Sequence, residues 1–183
     1  FLSMDTPYNG LLLYHGVGVG KSCSSILIAD NFKAYAKKNN KKIIILTKAA
    51  VTHTFRNEIF NSIQEDNKIN KNEFICTSNE YLNEWNTFIK DNPTYKDKLN
   101  NFKNSIIDEH FEIWGYQSFV NHYKQEIKTK DGWNKNKINE IFSNSVLIID
   151  EIHNLRDIYN DEENTLKESN EKDSKEIIQN IVK

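Results

Sequence analysis

The sequence predicts an α/β domain, a parallel sheet with helices on both faces. Three observations lead there. Short, nearly continuous apolar runs alternate with segments of helical spacing, the pattern of strands buried on both faces between crossover helices. A glycine-rich segment ending in Lys-Ser, "YHGVGVGKS" (14–22), lies between the first apolar run and the first helical one. The last apolar run ends on two carboxylates, in "VLIIDEIH" (146–153).

The elements follow in order. "GLLLYH" (10–15) reads as a buried strand. Residues 21–40 read as a helix, with Ile26, Ala29, Phe32 and Ala36 on one stripe and a Lys/Asn-rich stop. "KIIILT" (42–47) is a second strand. Residues 51–63 are helical, with Phe55, Ile59 and Ile63 on one face. "EFICT" (73–77) is a third strand. Residues 79–106 form two helices broken at Pro93, which removes a donor and clashes inside a helix. Tyr81, Leu82, Trp85 and Ile89 make an apolar stripe on the first of them, read as core packing first and partner binding second. "FEIWGY" (111–116) is a fourth strand, followed by a helix from Ser118 to Lys128. Residues 129–137 read as a loop and "SVLIID" (145–150) as a fifth strand. A polar stretch (154–172) then precedes a final helix ending on Ile181–Lys183; its composition reads as disorder or a surface insertion.

With 183 residues, 38% hydrophobic and 27% charged, the chain is long enough for one domain with a substantial core. It has no apolar run of the roughly 20 residues a membrane span needs, and no signal-like start. It opens on Phe1 rather than Met, which reads as a segment of a longer protein. The net charge of −2 gives no overall basic footprint for nucleic acid. The distribution is uneven: residues 1–150 carry 19 basic and 17 acidic side chains, residues 151–183 five and nine. Cys23 and Cys76 form no metal-binding or disulfide pattern and read as free thiols in a reducing compartment. His15, His53, His110, His122 and His153 have no zinc spacing.

The glycine segment follows a predicted strand and opens a helix, the context a phosphate loop requires. Gly18 and Gly20 allow backbone conformations closed to other residues, so successive N–H groups can surround a phosphate, assisted by the helix N-terminus. His15, Gly16, Val17, Gly18, Val19, Gly20, Lys21, Ser22 and Cys23 then form the candidate nucleotide site. Lys21 is placed to reach the β- and γ-phosphates, and Ser22 to set its hydroxyl on Mg²⁺. His15 stands where the strict G-x-x-x-x-G-K-[ST] pattern has glycine, but at the strand end, away from the tight curve. A dinucleotide fingerprint is excluded by the G-x-G-x-G spacing and by Thr47-Lys48 where an acid is needed. A chance glycine turn is the bland alternative. Asp150 and Glu151, about 130 residues downstream, weigh against it. A strand-end acid is what such a site needs to hold Mg²⁺, and its neighbour can position or deprotonate the attacking water.

At these two segments the chain resembles superfamily 2 helicases and translocases. "HGVGVGKS" is similar to motif I, which in that family lacks the first glycine, and "DEIH" (150–153) to motif II of the DExH group. "TPYNGLLLYHGVGVGKS" resembles more closely the helicase-like ATPases of large DNA viruses, of the poxvirus early transcription factor small subunit type. "LTKAAV" (46–51) falls at motif Ia and "WGYQSF" (114–119) near motif Ib. The resemblance implies a RecA-like ATP-binding domain over 1–155, with 156–183 a polar insertion and helix. It implies ATP and Mg²⁺ as cofactors and Lys21, Ser22, Asp150 and Glu151 as the hydrolytic set. His153 would couple that set to the rest of the motor. Lys48, Thr77, Ser78, Tyr116 and Gln117 become candidate contacts to DNA or RNA, against the alternative of ordinary loop polarity.

The implied partners are a second RecA-like domain and, in a viral setting, RNA polymerase or transcription factor subunits. The implied location is intracellular, in the virion or host cytoplasm. No S-A-T-like motif III follows "DEIH", and these residues hold neither the second domain nor its arginine finger, worth ~10³–10⁵ in rate in related systems. The chain alone is expected to bind ATP, to hydrolyse it weakly and not to unwind nucleic acid. Two other readings share the motifs: a nucleotide-dependent assembly switch in a transcription complex, and the translocase part of a restriction-type enzyme.

Overall fold

The computed structural model describes residues 2–3, 5–14, 20–60, 76–77, 80–92, 98–130, 132–155 and 175–182. His15 to Val19, Ser78, Pro93 and the polar stretch from 156 to 174 therefore lie outside the described residues. The chain divides into two compact units, one of residues 1–43 and 53–112, the other of 44–52 and 113–183.

In the first unit, α1 (Lys21–Asp30) and α2 (Lys33–Lys38) replace the single helix expected over 21–40. The break comes at Asn31–Phe32, where the Asn31 side chain donates to Leu27 O and the Phe32 N–H turns to Ala29 O. A side-chain bond to its own helix competes with the backbone ladder and ends the turn. α3 (Thr52–Ile59), which follows in the chain a 3-10 turn at Ala49–Val51 of the second unit, buries Phe55 and Ile59 as expected; Ile63 lies outside the described residues. α4 (Glu80–Asp91) and α5 (Leu99–His110) flank the Pro93 segment. Tyr81 and Trp85 are buried, and Phe60, Trp85, Phe88 and Phe102 form a contiguous aromatic cluster with ring centroids 3.8–6.0 Å apart.

The sheet has three parallel strands, β1 (Ile43–Thr47), β2 (Phe111–Gly115) and, in chain order after a small hairpin, β5 (Val146–Ile149). Their order is β2-β1-β5, with β1 central and buried along its whole length, as the continuous apolar run at 43–46 requires. α6 (Tyr116–Ile127) follows β2 directly. The loop expected over 129–137 instead holds β3 (Lys128–Thr129) and β4 (Gly132–Trp133), an antiparallel pair, and the start of α7 (Lys135–Phe142). Asn134, read from composition as a loop residue, is the α7 N-cap: its side chain accepts from Lys137 N. Ile44, Leu46, Phe119, Val120, Ile127, Ile138, Phe142, Ile177 and Ile178 make the core of this unit. The last helix, α8 (175–182), is tied to β4 by Trp133 Nε1 donating to Glu176 Oε2 at 2.9 Å.

Three further expectations are corrected. Residues 10–14 form no strand; Leu12 and Tyr14 are exposed at 74% and 94%. An apolar run becomes a strand only where another strand pairs with it, and none does among the described residues. Cys76 and Thr77 are in a bend, the rest of the expected third strand lying outside the described residues. Cys23 and Cys76 are joined in a disulfide rather than free. Fifty-three positions separate them, so no local spacing could signal the pairing. No helix among the described residues is long and apolar enough to cross a membrane. A three-stranded parallel sheet flanked by helices makes this an α/β domain of the RecA-like type.

Candidate nucleotide site

In the second unit, the carboxyl ends of all three parallel strands converge on Asp150. β5 stops at Ile149, and the Asp150 N–H donates to Leu46 O of β1 at 2.9 Å. The hydroxyl of Thr47, the last residue of β1 and fully buried, donates to Asp150 Oδ2 at 2.8 Å. Tyr116, directly after β2, donates its phenol hydrogen to the Asp150 carbonyl oxygen. Burial, and then the negative charges of Asp150 and Glu151, push the Tyr116 phenol above the ordinary tyrosine range, so it remains a donor. Ligands of open parallel sheets bind at this edge, where strand ends present loops rather than side-chain faces.

Glu151 turns the chain out of the strand with φ 52°, in the left-handed region that side chains other than glycine and Asn/Asp seldom adopt. Such conformations cost ~1–2 kcal/mol and persist where neighbours hold them. Three interactions fix Asp150 immediately upstream. Downstream, His153 Nδ1 lies 3.0 Å from Glu151 Oε2, both side chains partly open to solvent. Asp150, Glu151 and His153, predicted together, are thus brought together.

The first unit carries Gly20 to Ser22, the described part of the glycine segment. Gly20 has φ 79° and ψ 28°, the left-handed conformation anticipated for it. Lys21 begins α1, and Ser24 N donates to Gly20 O to close the first turn. Gly20 has no capping side chain, so the first-turn N–H groups of α1 stay aligned at its positive end. Cys23 lies in that turn and carries the disulfide to Cys76. Lys21 and Ser22 belong to this unit, Asp150 and Glu151 to the other.

The expected nucleic-acid contacts fare differently. Lys48 is exposed, at the head of the 3-10 turn after β1. Thr77 is buried, and its hydroxyl donates to Ile59 O at 2.9 Å inside the first unit. Tyr116 is half-buried against the core with its hydroxyl on the Asp150 carbonyl oxygen. Gln117 Nε2 bonds Asn121 Oδ1 one turn along α6. Sequence reasoning missed Thr47. The signal was one polar residue closing an otherwise apolar strand.

Among the described residues no group of three His, Cys, Asp or Glu side chains could hold a metal ion by itself. The oxygen donors present still fit Mg²⁺, which is held by one or two carboxylates together with substrate phosphates rather than by an all-protein cage. Apart from this edge, a groove of about 500 Å³ between α4 and α5 is lined by Asn83, Thr87, Phe88 and Phe102.

The RecA-like architecture, with acidic residues gathered at the carboxyl edge of its sheet, sets the class. The particular relatives are viral. The chain is 33% identical over 155 residues to a protein of Acanthamoeba polyphaga mimivirus named "Putative ATP-dependent RNA helicase", covering 85% of this chain and 22% of that protein. A second mimivirus protein of the same description is 29% identical over 180 residues, covering 85% and 14%. A protein of Invertebrate iridescent virus 3 named "Putative helicase" is 30% identical over 165 residues, again covering 85% and 14%. The chain thus spans less than a quarter of the length of these relatives. No protein-family model and no solved structure matches it.

Proposed function

We propose that this chain is the ATP-binding domain of a superfamily 2, DExH-type helicase or translocase, coupling Mg-ATP hydrolysis to movement on DNA or RNA. The observation that carries the reading is Asp150, at the end of β5, whose main chain is held from β1 and α6 and whose carboxylate is held by Thr47. Similarity to viral proteins named as helicases supports it, as does the left-handed Gly20 before Lys21 and Ser22.

In this reading Gly20 and the α1 N-terminus receive phosphate oxygens through backbone N–H groups. Lys21 would offset phosphate charge, and Ser22 and Asp150 are the residues that would each offer an oxygen to Mg²⁺. Bound there, Mg²⁺ would neutralise charge on the β- and γ-phosphates. Glu151 orients a water for in-line attack and accepts its proton, and His153, 3.0 Å away, holds the Glu151 carboxylate. Lys48 offers a positive charge to a nucleic-acid backbone, a contact that positions without reading sequence. A second RecA-like domain supplies the arginine finger. RNA polymerase or transcription factor subunits are the proposed assembly partners, in the virion or host cytoplasm.

Calorimetry of Mg-ATP binding tests this on the wild-type chain beside K21A and E151Q. Binding in the micromolar range is expected for wild type and E151Q, with K21A weaker by at least tenfold. A folded wild-type chain that binds no nucleotide defeats the proposal. Binding without nucleic-acid-stimulated turnover, once the second domain is supplied, favours the assembly switch over the motor.

A further inference from the structure

Thr47 ends a strand whose other residues are all apolar, and it is fully buried. A hydroxyl there must find a partner, since a buried unpaired polar group costs ~1–3 kcal/mol. The partner it has is a carboxylate oxygen 103 positions away, Asp150 Oδ2, at 2.8 Å. The Asp150 main chain is held independently, its N–H by Leu46 O and its carbonyl by Tyr116. Backbone and carboxylate are therefore fixed separately, and Thr47 alone among these three acts on the carboxylate.

On the nucleotide-site reading above, we infer that Thr47 is a positioning residue for the Mg²⁺ of Mg-ATP. Its hydroxyl holds the Asp150 carboxylate by one oxygen and so sets the direction in which the other faces. A carboxylate held in one rotamer loses less freedom when a cation arrives, and outer partners of this kind commonly change metal affinity by ~10–100-fold when removed. Thr47 does not touch nucleotide in this account; it acts through Asp150. The contact also joins β1 to the turn after β5, which would leave the hydroxyl a purely structural role, and the test must separate the two.

The test is ATP binding by calorimetry at increasing Mg²⁺, compared with binding in chelator. Wild type should bind ATP more tightly with Mg²⁺, and D150N should lose that gain. T47V keeps the branched shape and removes the hydroxyl. It should lose about tenfold of the Mg²⁺-dependent gain, the scale of one hydrogen bond to a charged group, with Mg²⁺-free affinity unchanged. T47S keeps the hydroxyl and should stay within about twofold of wild type. T47A carries the same expectation as T47V and serves if the valine variant does not fold. The inference is overturned if T47V or T47A keeps the wild-type gain while D150N loses it, or if a folded T47S loses it. If wild type shows no Mg²⁺-dependent gain, or D150N retains it, the role given to Asp150 fails first and this inference with it.

Discussion

The phenol of Tyr116 donates to the main-chain carbonyl oxygen of Asp150, tying the first residue of α6 to the turn that follows β5. Half-buried and facing two carboxylates, it has its proton affinity raised above the ordinary tyrosine range. In alkaline titration, followed by near-ultraviolet absorbance, Tyr116 should remain protonated where a tyrosine of ordinary pKa, about 10, has ionised. Y116F should therefore leave the number of tyrosines titrating up to about pH 11 unchanged. The sign of the linkage follows. The folded pKa lies above the unfolded one, so this contribution is fully present below about pH 10 and is lost as pH rises towards the folded value. At neutral pH, Y116F should cost about 1 kcal/mol in urea unfolding. An additional tyrosine titrating in the wild type compared with Y116F would show that the phenol is not held as described.

Gly115 ends β2 under the 3-10 turn that follows β1. A Cβ there would lie 3.1 Å from both Cα and Cβ of Ala49. Backbone cannot rotate aside as a side chain can, so G115A should destabilise by about 1–3 kcal/mol, the usual cost of overpacking. The double variant G115A/A49G should recover part of that loss, because the Cβ clash goes while the Cα clash remains. Denaturant midpoints of the single and double variants decide it. A neutral G115A would mean that the Lys48–Val51 turn yields freely, and that strand-end geometry is not set by this contact.

Much of this architecture could be read from the letters, and the exceptions have physical causes. The strands at 43–47, 111–115 and 146–149 were legible because each is a short, mostly apolar run between polar stretches. Asp150 and Glu151 were legible as acids at a strand end. Thr47 was not, because its role depends on a residue 103 positions away. α7 was hidden by turn-forming neighbours, although Ile138, Ile141 and Phe142 have helical spacing and Asn134 is a good N-cap. Residues 10–14 have strand composition without a strand, since pairing is a tertiary event. Thr77 looked like a polar loop residue but closes a buried bond to Ile59.

Lys33 is a charged residue in the core of the first unit, 8% exposed. Its ammonium lies 2.8 Å from Asp30 Oδ1 and 4.4 Å from the centre of the Tyr81 ring. An isolated buried charge is costly, and here the carboxylate and the aromatic face both offset it. K33M takes the cation from Asp30 and should destabilise by about 3–5 kcal/mol. The double variant D30N/K33M removes both charges and should recover a substantial part of that loss, since a buried ion pair is often replaceable by uncharged groups. Urea unfolding of the two variants checks it. A double variant no more stable than K33M would assign the cost to lost packing of the lysine stem rather than to the charge.

The disulfide between Cys23 and Cys76 closes a 53-residue separation and ties the first turn of α1, next to Lys21 and Ser22, to the segment before α4. In the chain-entropy account, a cross-link stabilises by restricting the unfolded chain, and a loop of this length contributes roughly 4 kcal/mol. Excess dithiothreitol should therefore lower the thermal midpoint of the wild-type chain, and C76S should show a comparably low midpoint without reductant. Adding dithiothreitol to C76S should change nothing further, which separates the cross-link from other effects of the reagent. Thiol titration under denaturing conditions gives the independent count: no reactive thiol before reduction and two after. Two reactive thiols in the unreduced chain, with a midpoint insensitive to dithiothreitol, would return both cysteines to the free state their spacing first indicated.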